Sequence, residues 1–254
     1  MELAKRNSML PIRQAFLIAY VTGILWLRRN PISLVFTAIS PFSLLFVLFV
    51  VSGGEEGIIE LAVVGSLVMA LVGYGLALGQ DISFYKTEYK IQDIFVASPV
   101  SPLTYMMGLA LSELLFGLPA LLVLASLVIY VGAPLSSIPF LAATILLIWG
   151  SMSAMGFFLS SHMLHMRNAT QVISFVNVIL AVLPPVFYSV TIVPEVLKPL
   201  VYALPTTHAS LMLQYIMERP TPGEWSPAFG FAVQLAYLIG FVALAKTKAM
   251  WRES

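Results

Sequence analysis

The chain has 254 residues, 59% of them hydrophobic and only 10% charged, with a net charge of +1. Soluble domains carry about 25% charged residues, so a water-soluble globular fold is excluded. There is no cysteine, which removes disulfides, thiolate metal sites and cysteine nucleophiles. The net charge gives no sign of a nucleic-acid partner, and none is expected.

The composition predicts an all-α integral membrane protein forming a single domain over residues 1–254: an interfacial segment 1–30, a membrane region 31–245 and a cytoplasmic tail 246–254. The first apolar stretch, Leu10–Leu27, is long enough to span but is interrupted by Arg13. Lys5 and Arg6 precede it, and Arg28 and Arg29 follow. As a span it would place basic clusters on both sides of the membrane. As a helix lying in the cytoplasmic interface it keeps them on one side, and this is the reading adopted. No clear small-residue cleavage site accompanies it, which argues against a signal peptide.

A bilayer core needs about 20 apolar residues per helix. Six spans are expected, at Ile32–Val51, Ile58–Gly79, Leu103–Val131, Ile138–Ser160, Ala169–Val190 and Pro227–Ala245, none containing Lys or Arg. The cytoplasmic side then receives Lys5, Arg6, Arg13, Arg28, Arg29, Lys86, Lys90, Arg167, Lys246, Lys248 and Arg252, and the outside Lys198 and Arg219: 11 of the 13 basic residues against 2. That bias puts both termini in the cytoplasm. Pro41, Pro119 and the pair Pro184–Pro185 lie inside or near the ends of spans, where each removes a backbone donor and is expected to kink its helix. Gly75-x-x-x-Gly79 gives the second span a small-residue face suited to close helix contact. After the fifth span comes a long external stretch, Thr191–Ser226, containing the apolar run Val196–Leu204. That run is too short to cross and suits a surface helix or a re-entrant hairpin.

Few groups offer chemistry. His162 and His165 would share a helix face, but zinc needs further ligands and none is near. Glu55–Glu56 lies in a loop, without the span-borne histidines of glutamate-rich intramembrane proteases. No Gly-x-x-x-x-Gly-Lys-Ser/Thr sequence occurs, so this chain has no P-loop for ATP. It is expected to bind no cofactor and no metal and to have no enzyme activity of its own. Glu113 is the acid embedded in a span, and an ionisable group at membrane depth costs about 2.5–3.5 kcal/mol on insertion scales. Two placements are open: a pathway or helix-contact residue, or a carboxyl near the cytoplasmic boundary. Gln171, Asn177 and Gln234 are the other strongly polar side chains in spans, and interhelical hydrogen bonds account for them.

The cytoplasmic loop from Gln80 to Pro102 has helical spacing at its centre. Ile91, Ile94, Phe95 and Ser98 fall at i, i+3, i+4 and i+7, away from Lys86, Lys90 and Asp93, and Pro99 ends the segment. Such a helix could rest on lipid or dock into a protein groove.

At this loop the sequence resembles the membrane subunits of ABC-2 type transporters. The family carries an acid, a short helix with a second acid, and a Ser/Thr-Pro-Val ending. Here these positions read Glu88, Asp93 and Ser98-Pro99-Val100. The family's usual glycine two residues after the first acid is Lys90 in this chain, so the start of the helix is expected to differ. Arg29-Asn30-Pro31 with Pro41, and Pro194-x4-Pro199 followed by Leu204-Pro205-Thr206-Thr207, extend the match. The resemblance implies a permease, mostly of the exporter kind, in the cell membrane. It implies pairing with a second copy or a related permease, and two separate ABC ATPase subunits that use ATP and magnesium. Glu88, Ile91, Asp93, Ile94, Phe95, Ser98 and Pro99 would form the coupling helix seated in the ATPase. Leu10–Leu27 would be the connecting helix, and Val196–Leu204 an external re-entrant element. An independent channel or secondary transporter is the alternative. The substrate does not follow from the sequence.

Overall fold

The computed structural model describes residues 2–163, 165–223 and 225–248, without the side chains of residues 2–9, Ser40 and Ile91. The described residues form helices and turns, with no strand among them. Eleven helices are numbered in chain order: α1 Glu2–Ala19, α2 Leu25–Arg29, α3 Ser33–Val51, α4 Glu56–Thr87, α5 Ile91–Ala97, α6 Pro102–Val131, α7 Ile138–Ser161, α8 Met166–Val182, α9 Lys198–Tyr202, α10 Pro205–Ile216 and α11 Pro227–Lys248. A π-helical turn, Tyr20–Ile24, joins α1 to α2 without a break. The tail beyond Lys248, with Arg252, lies outside the described residues.

α4 is the hub. It packs against α3, α6, α7 and α8, and Val64, Leu67, Val68, Leu71, Val72, Leu76 and Leu78 are fully or almost fully buried along it. An all-apolar helix surface with no exposed face is what a central membrane helix requires. Its closest partner is α7, and the glycines set the approach. A Cβ on Gly75 would lie 2.4 Å from the Cβ of Met152, and one on Gly79 would lie 2.7 Å from the carbonyl oxygen of Gly156. The expected Gly75–Gly79 contact face is therefore occupied, and by backbone as well as side chain.

α6 runs antiparallel to α4. The side chains of Asp81 and Glu113 meet, and farther along the ring of Tyr74 lies against Gly117. The Tyr74 hydroxyl also donates to the Thr37 carbonyl (3.0 Å), tying α3 to the same level. Pro41 and Pro119 sit inside α3 and α6, and both helices continue through them.

Among the described residues, six stretches are long and apolar enough to cross a membrane: Leu10–Arg29, Ser33–Val51, Glu56–Thr87, Pro102–Val131, Leu135–Ser161 and Pro227–Lys248. The number is the expected one; the set is not. The fifth expected span, 169–190, is a helix of 17 residues that stops at Val182. Pro184 and Pro185 cannot donate to the helix ladder and disfavour helical backbone before them, so the chain leaves α8 there. The Leu10–Arg29 stretch joins the set by length and composition. Its small or buried residues Ala15, Ile18, Ala19 and Gly23 face α6, while Ile12, Phe16, Leu17, Val21 and Trp26 are exposed. Ile18 touches Gly108, and Gly23 lies against Ser112, so the stretch runs parallel to the first half of α6.

The segment between α8 and α11 is a separate cap. Two 3-10 turns, Val190–Ile192 and Glu195–Leu197, lead into α9 and α10. Val190, Val193, Val201, Leu211, Met212 and Trp225 make a small apolar core of their own. α10 packs on α11, α7 and α4.

Candidate functional site

The loop expected to dock is built as a short helix hung between the two central helices. α4 ends at Thr87 and Glu88 is its exposed terminal residue. Lys90 then takes a left-handed backbone, φ 52° and ψ 23°, immediately before α5. This is the position where the resemblance puts a glycine, and only glycine adopts that backbone without steric cost. After α5, the Ser98 hydroxyl donates to the Phe95 carbonyl (2.7 Å) and accepts from the Val100 amide (3.3 Å). Ser101 caps α6 by accepting from the Thr104 amide at 3.1 Å, with Pro102 at the first helical position.

The expected single stripe on α5 is split. Phe95 packs inward on Tyr105, ring centroids 4.9 Å apart, and Gln92 is buried beside it. Ile94 points the other way and is 68% exposed, with Asp93 and Pro99 also exposed. The side chain of Ile91 lies outside the described residues. α5 thus uses one side to hold the hairpin and leaves Asp93 and Ile94 on the surface.

Glu113 faces a partner that the sequence reading assigned to the loop. It is 8% exposed, and Asp81 is its near neighbour on the lining of one cavity. The signal was present: Asp81 follows span 2 by two residues, and an antiparallel hairpin brings it back to Glu113. The pair borders a cavity of about 560 Å³ between the N-terminal helix and the α3–α4–α6 layer. Trp26, Phe84, Tyr85, Tyr89 and Phe116 supply aromatic surface, and Arg29 sits at the exposed rim.

The other polar candidates separate. Gln234 is fully buried, donates to the Pro205 carbonyl (2.5 Å) and accepts from Ser151 (3.4 Å), so it ties α11 to α10 and α7. Gln171 is exposed on α8. The Oδ1 of Asn177 is buried with no hydrogen-bond partner among the described residues. The histidine pair is not a pair: His162 ends α7 and its Nδ1 faces the Phe158 carbonyl (2.9 Å), whereas His165 precedes α8 and is exposed.

The cap contributes a residue that the sequence reading passed over. His208 is fully buried, with Nε2 2.9 Å from the Tyr202 carbonyl and Nδ1 3.2 Å from the Trp225 indole nitrogen. A carbonyl only accepts and an indole N–H only donates, so the ring is neutral with its proton on Nε2. Burial pushes its pKa down. At the end of α4 remote from α5, Arg219 pairs with Glu60 and donates to the Gly57 carbonyl (3.0 Å), clamping the end of the cap to the start of α4. Inside the cap the Thr207 hydroxyl donates to the Val201 carbonyl (2.5 Å) and Ser210 to the Pro185 carbonyl (3.0 Å).

The sequence model of the ABC-2 type transporter family matches residues 13–217. A search of characterised proteins finds no match. The matched region runs from the N-terminal helix through the hub, the loop helix and the inner cavity to the end of the cap, well over half of the 254 residues. The chain belongs to the ABC-2 type transporter family, as a multi-pass membrane permease.

Proposed function

We propose that this permease is the membrane half of an ATP-driven exporter in the cell membrane. It works by alternating access, with two separate ATPase subunits binding beneath it and a second permease copy, or a related permease, beside it. ATP and magnesium are used by the ATPase subunits. The observation that carries this reading is α5, a short helix with Asp93 and Ile94 exposed at the joint between α4 and α6. A push on α5 moves the two helices that pack most centrally, which is how a partner's closure would reach the spans. The absence of a P-loop from the sequence fits an energy source in another chain.

A membrane frame follows from two charged levels on α4. Glu60, paired with Arg219, and Asp81, beside Glu113, are 21 residues apart. At about 1.5 Å per residue that separation is about 31 Å, close to the thickness of a hydrocarbon core. With the bilayer between those levels, residues 15–23 run beside residues 108–115 of α6, at and below the inner boundary. The interfacial placement of this stretch and the cytoplasmic termini rest on the charge bias and on Arg13. In the same frame Pro205 lies level with Gln234, two turns into α11, while Arg219 returns to the outer rim. A descent and return within the outer half supports a re-entrant cap.

Asp93→Lys and Ile94→Asp test the coupling role. Both variants are expected to keep the fold and to lose ATPase association and transport. Normal association and transport in both would remove α5 as the coupling element. The buried Asp81–Glu113 pair favours one other reading, an independent channel or secondary transporter. Steady gradient-driven flux through the reconstituted chain alone, with no ATPase present, would replace the exporter by that reading.

A further inference from the structure

We propose that the inner cavity is a binding site for a lipophilic organic cation. The reading rests on three separate properties of one space. Its volume, about 560 Å³, is that of a small-molecule site, and in the membrane frame proposed above it lies at the inner boundary. Its lining carries Asp81 and Glu113, neighbouring acids of α4 and α6. Its wall carries aromatic rings from three elements: Trp26 on the N-terminal helix, Tyr85 on α4 and Phe116 on α6.

Each property selects a feature of the ligand. Two neighbouring carboxyl groups, Glu113 buried and Asp81 half-buried, outnumber the one basic residue on the lining, Arg29. A cation is therefore favoured and an anion repelled, in surroundings where water screens little. Aromatic faces attract a cation through their quadrupole, with Trp the strongest, and at the same time accept an apolar body. The mouth lies where such molecules collect, because the cytoplasmic leaflet is negatively charged. Arg29 does not cancel the pair: it is exposed at the rim, not at the floor, and makes no ion pair with either acid. A compact hydrated cation such as sodium would leave most of the wall unused.

This deepens the exporter reading by naming a substrate class, and it is tested without any ATPase. Full-length protein in nanodiscs of neutral lipid, with empty discs as blank, is titrated with radiolabelled tetraphenylphosphonium. The same titration uses tetraphenylborate, an anion of the same shape. Saturable binding of the phosphonium and none of the borate is expected. Asp81→Asn combined with Glu113→Gln should weaken phosphonium binding at least tenfold. Trp26→Ala, at an exposed position that does not threaten folding, should weaken it several-fold. Arg29→Ala should leave it unchanged or tighter. Absence of saturable phosphonium binding overturns the proposal, as does equal binding of the borate, full affinity in the double variant together with Trp26→Ala, or loss of binding in Arg29→Ala. Loss of ATPase association with phosphonium binding intact would count against the exporter reading alone.

Discussion

The cap between α8 and α11 and the loop around α5 are both interruptions between helices, and they treat polar groups in opposite ways. The cap turns its polar atoms inward: Thr207, His208, Ser210 and Arg219 bond to carbonyls or side chains elsewhere in the fold, and its Pro205 carbonyl accepts from Gln234 of α11. The loop satisfies itself through Ser98 and Ser101 over a few residues and leaves Asp93 and Ile94 outward. The cause is the surroundings. Irregular backbone that dips toward hydrocarbon must find every partner within the protein, because lipid offers none. A loop in water has no such need, so its surface is free to be complementary to something else. A cap of this kind is a structural commitment, and the loop is an available face.

The difference can be broken or sharpened by substitution. The largest effect is expected at the hub on which both regions hang. Gly79→Val forces a side chain onto the Gly156 backbone and should destabilise the protein by about 3 kcal/mol, read from thermal unfolding in detergent. Where the cap meets α11, Gln234→Ala leaves the Pro205 carbonyl buried without its donor. A loss of about 2 kcal/mol in the same assay is expected, and a neutral result would mean that the cap does not depend on its polar ties.

The cap should also sense acid. The folded protein holds His208 neutral, with its pKa below the ordinary 6.5, so the unfolded chain binds a proton first as pH falls. The contribution of His208 is complete above that ordinary value and declines below it, at up to about 1.4 kcal/mol per pH unit, until the folded ring itself titrates. Unfolding followed from pH 8 to 5 should show this slope in the native protein and lose it in His208→Gln.

The loop should respond in the opposite sense. Lys90→Gly relieves a left-handed backbone and should stabilise by about 1 kcal/mol, measured by protection of the loop from proteolysis. Ile94→Asp should change stability by less than about 0.5 kcal/mol, since the side chain is exposed, while ATPase association is lost. A large destabilisation by Ile94→Asp would show that the loop, like the cap, is part of the scaffold.

Hydropathy and charge made most of this architecture legible. Five of the six expected spans correspond to long helices, and the glycine face of the second is used as expected. The fifth was overdrawn because hydropathy counts Leu183–Val190 as apolar and does not register that consecutive prolines end the ladder at Val182. Glu113 was visible as a misplaced acid, but its partner was not. Asp81 lies beyond the apolar window, and only the register of the α4–α6 hairpin brings it into the core. α5 was legible as a helix, while the face it buries depended on where Tyr105 lies. His208 gave no signal, because a lone histidine in an external stretch shows nothing of the carbonyl and indole that enclose it.

The length of α4 has a mechanical consequence. Its 32 residues make a rod of about 48 Å, well beyond the 30 Å or so that a bilayer core requires. One end meets the loop helix and the other is clamped by Arg219. A rod of about 48 Å held at its outer end and tilted by about 10° sweeps its inner end through about 8 Å, more than one helical turn. The Glu60–Arg219 clamp is then a fulcrum, and the inner cavity lies on the long arm, where a small rotation produces the largest change in width.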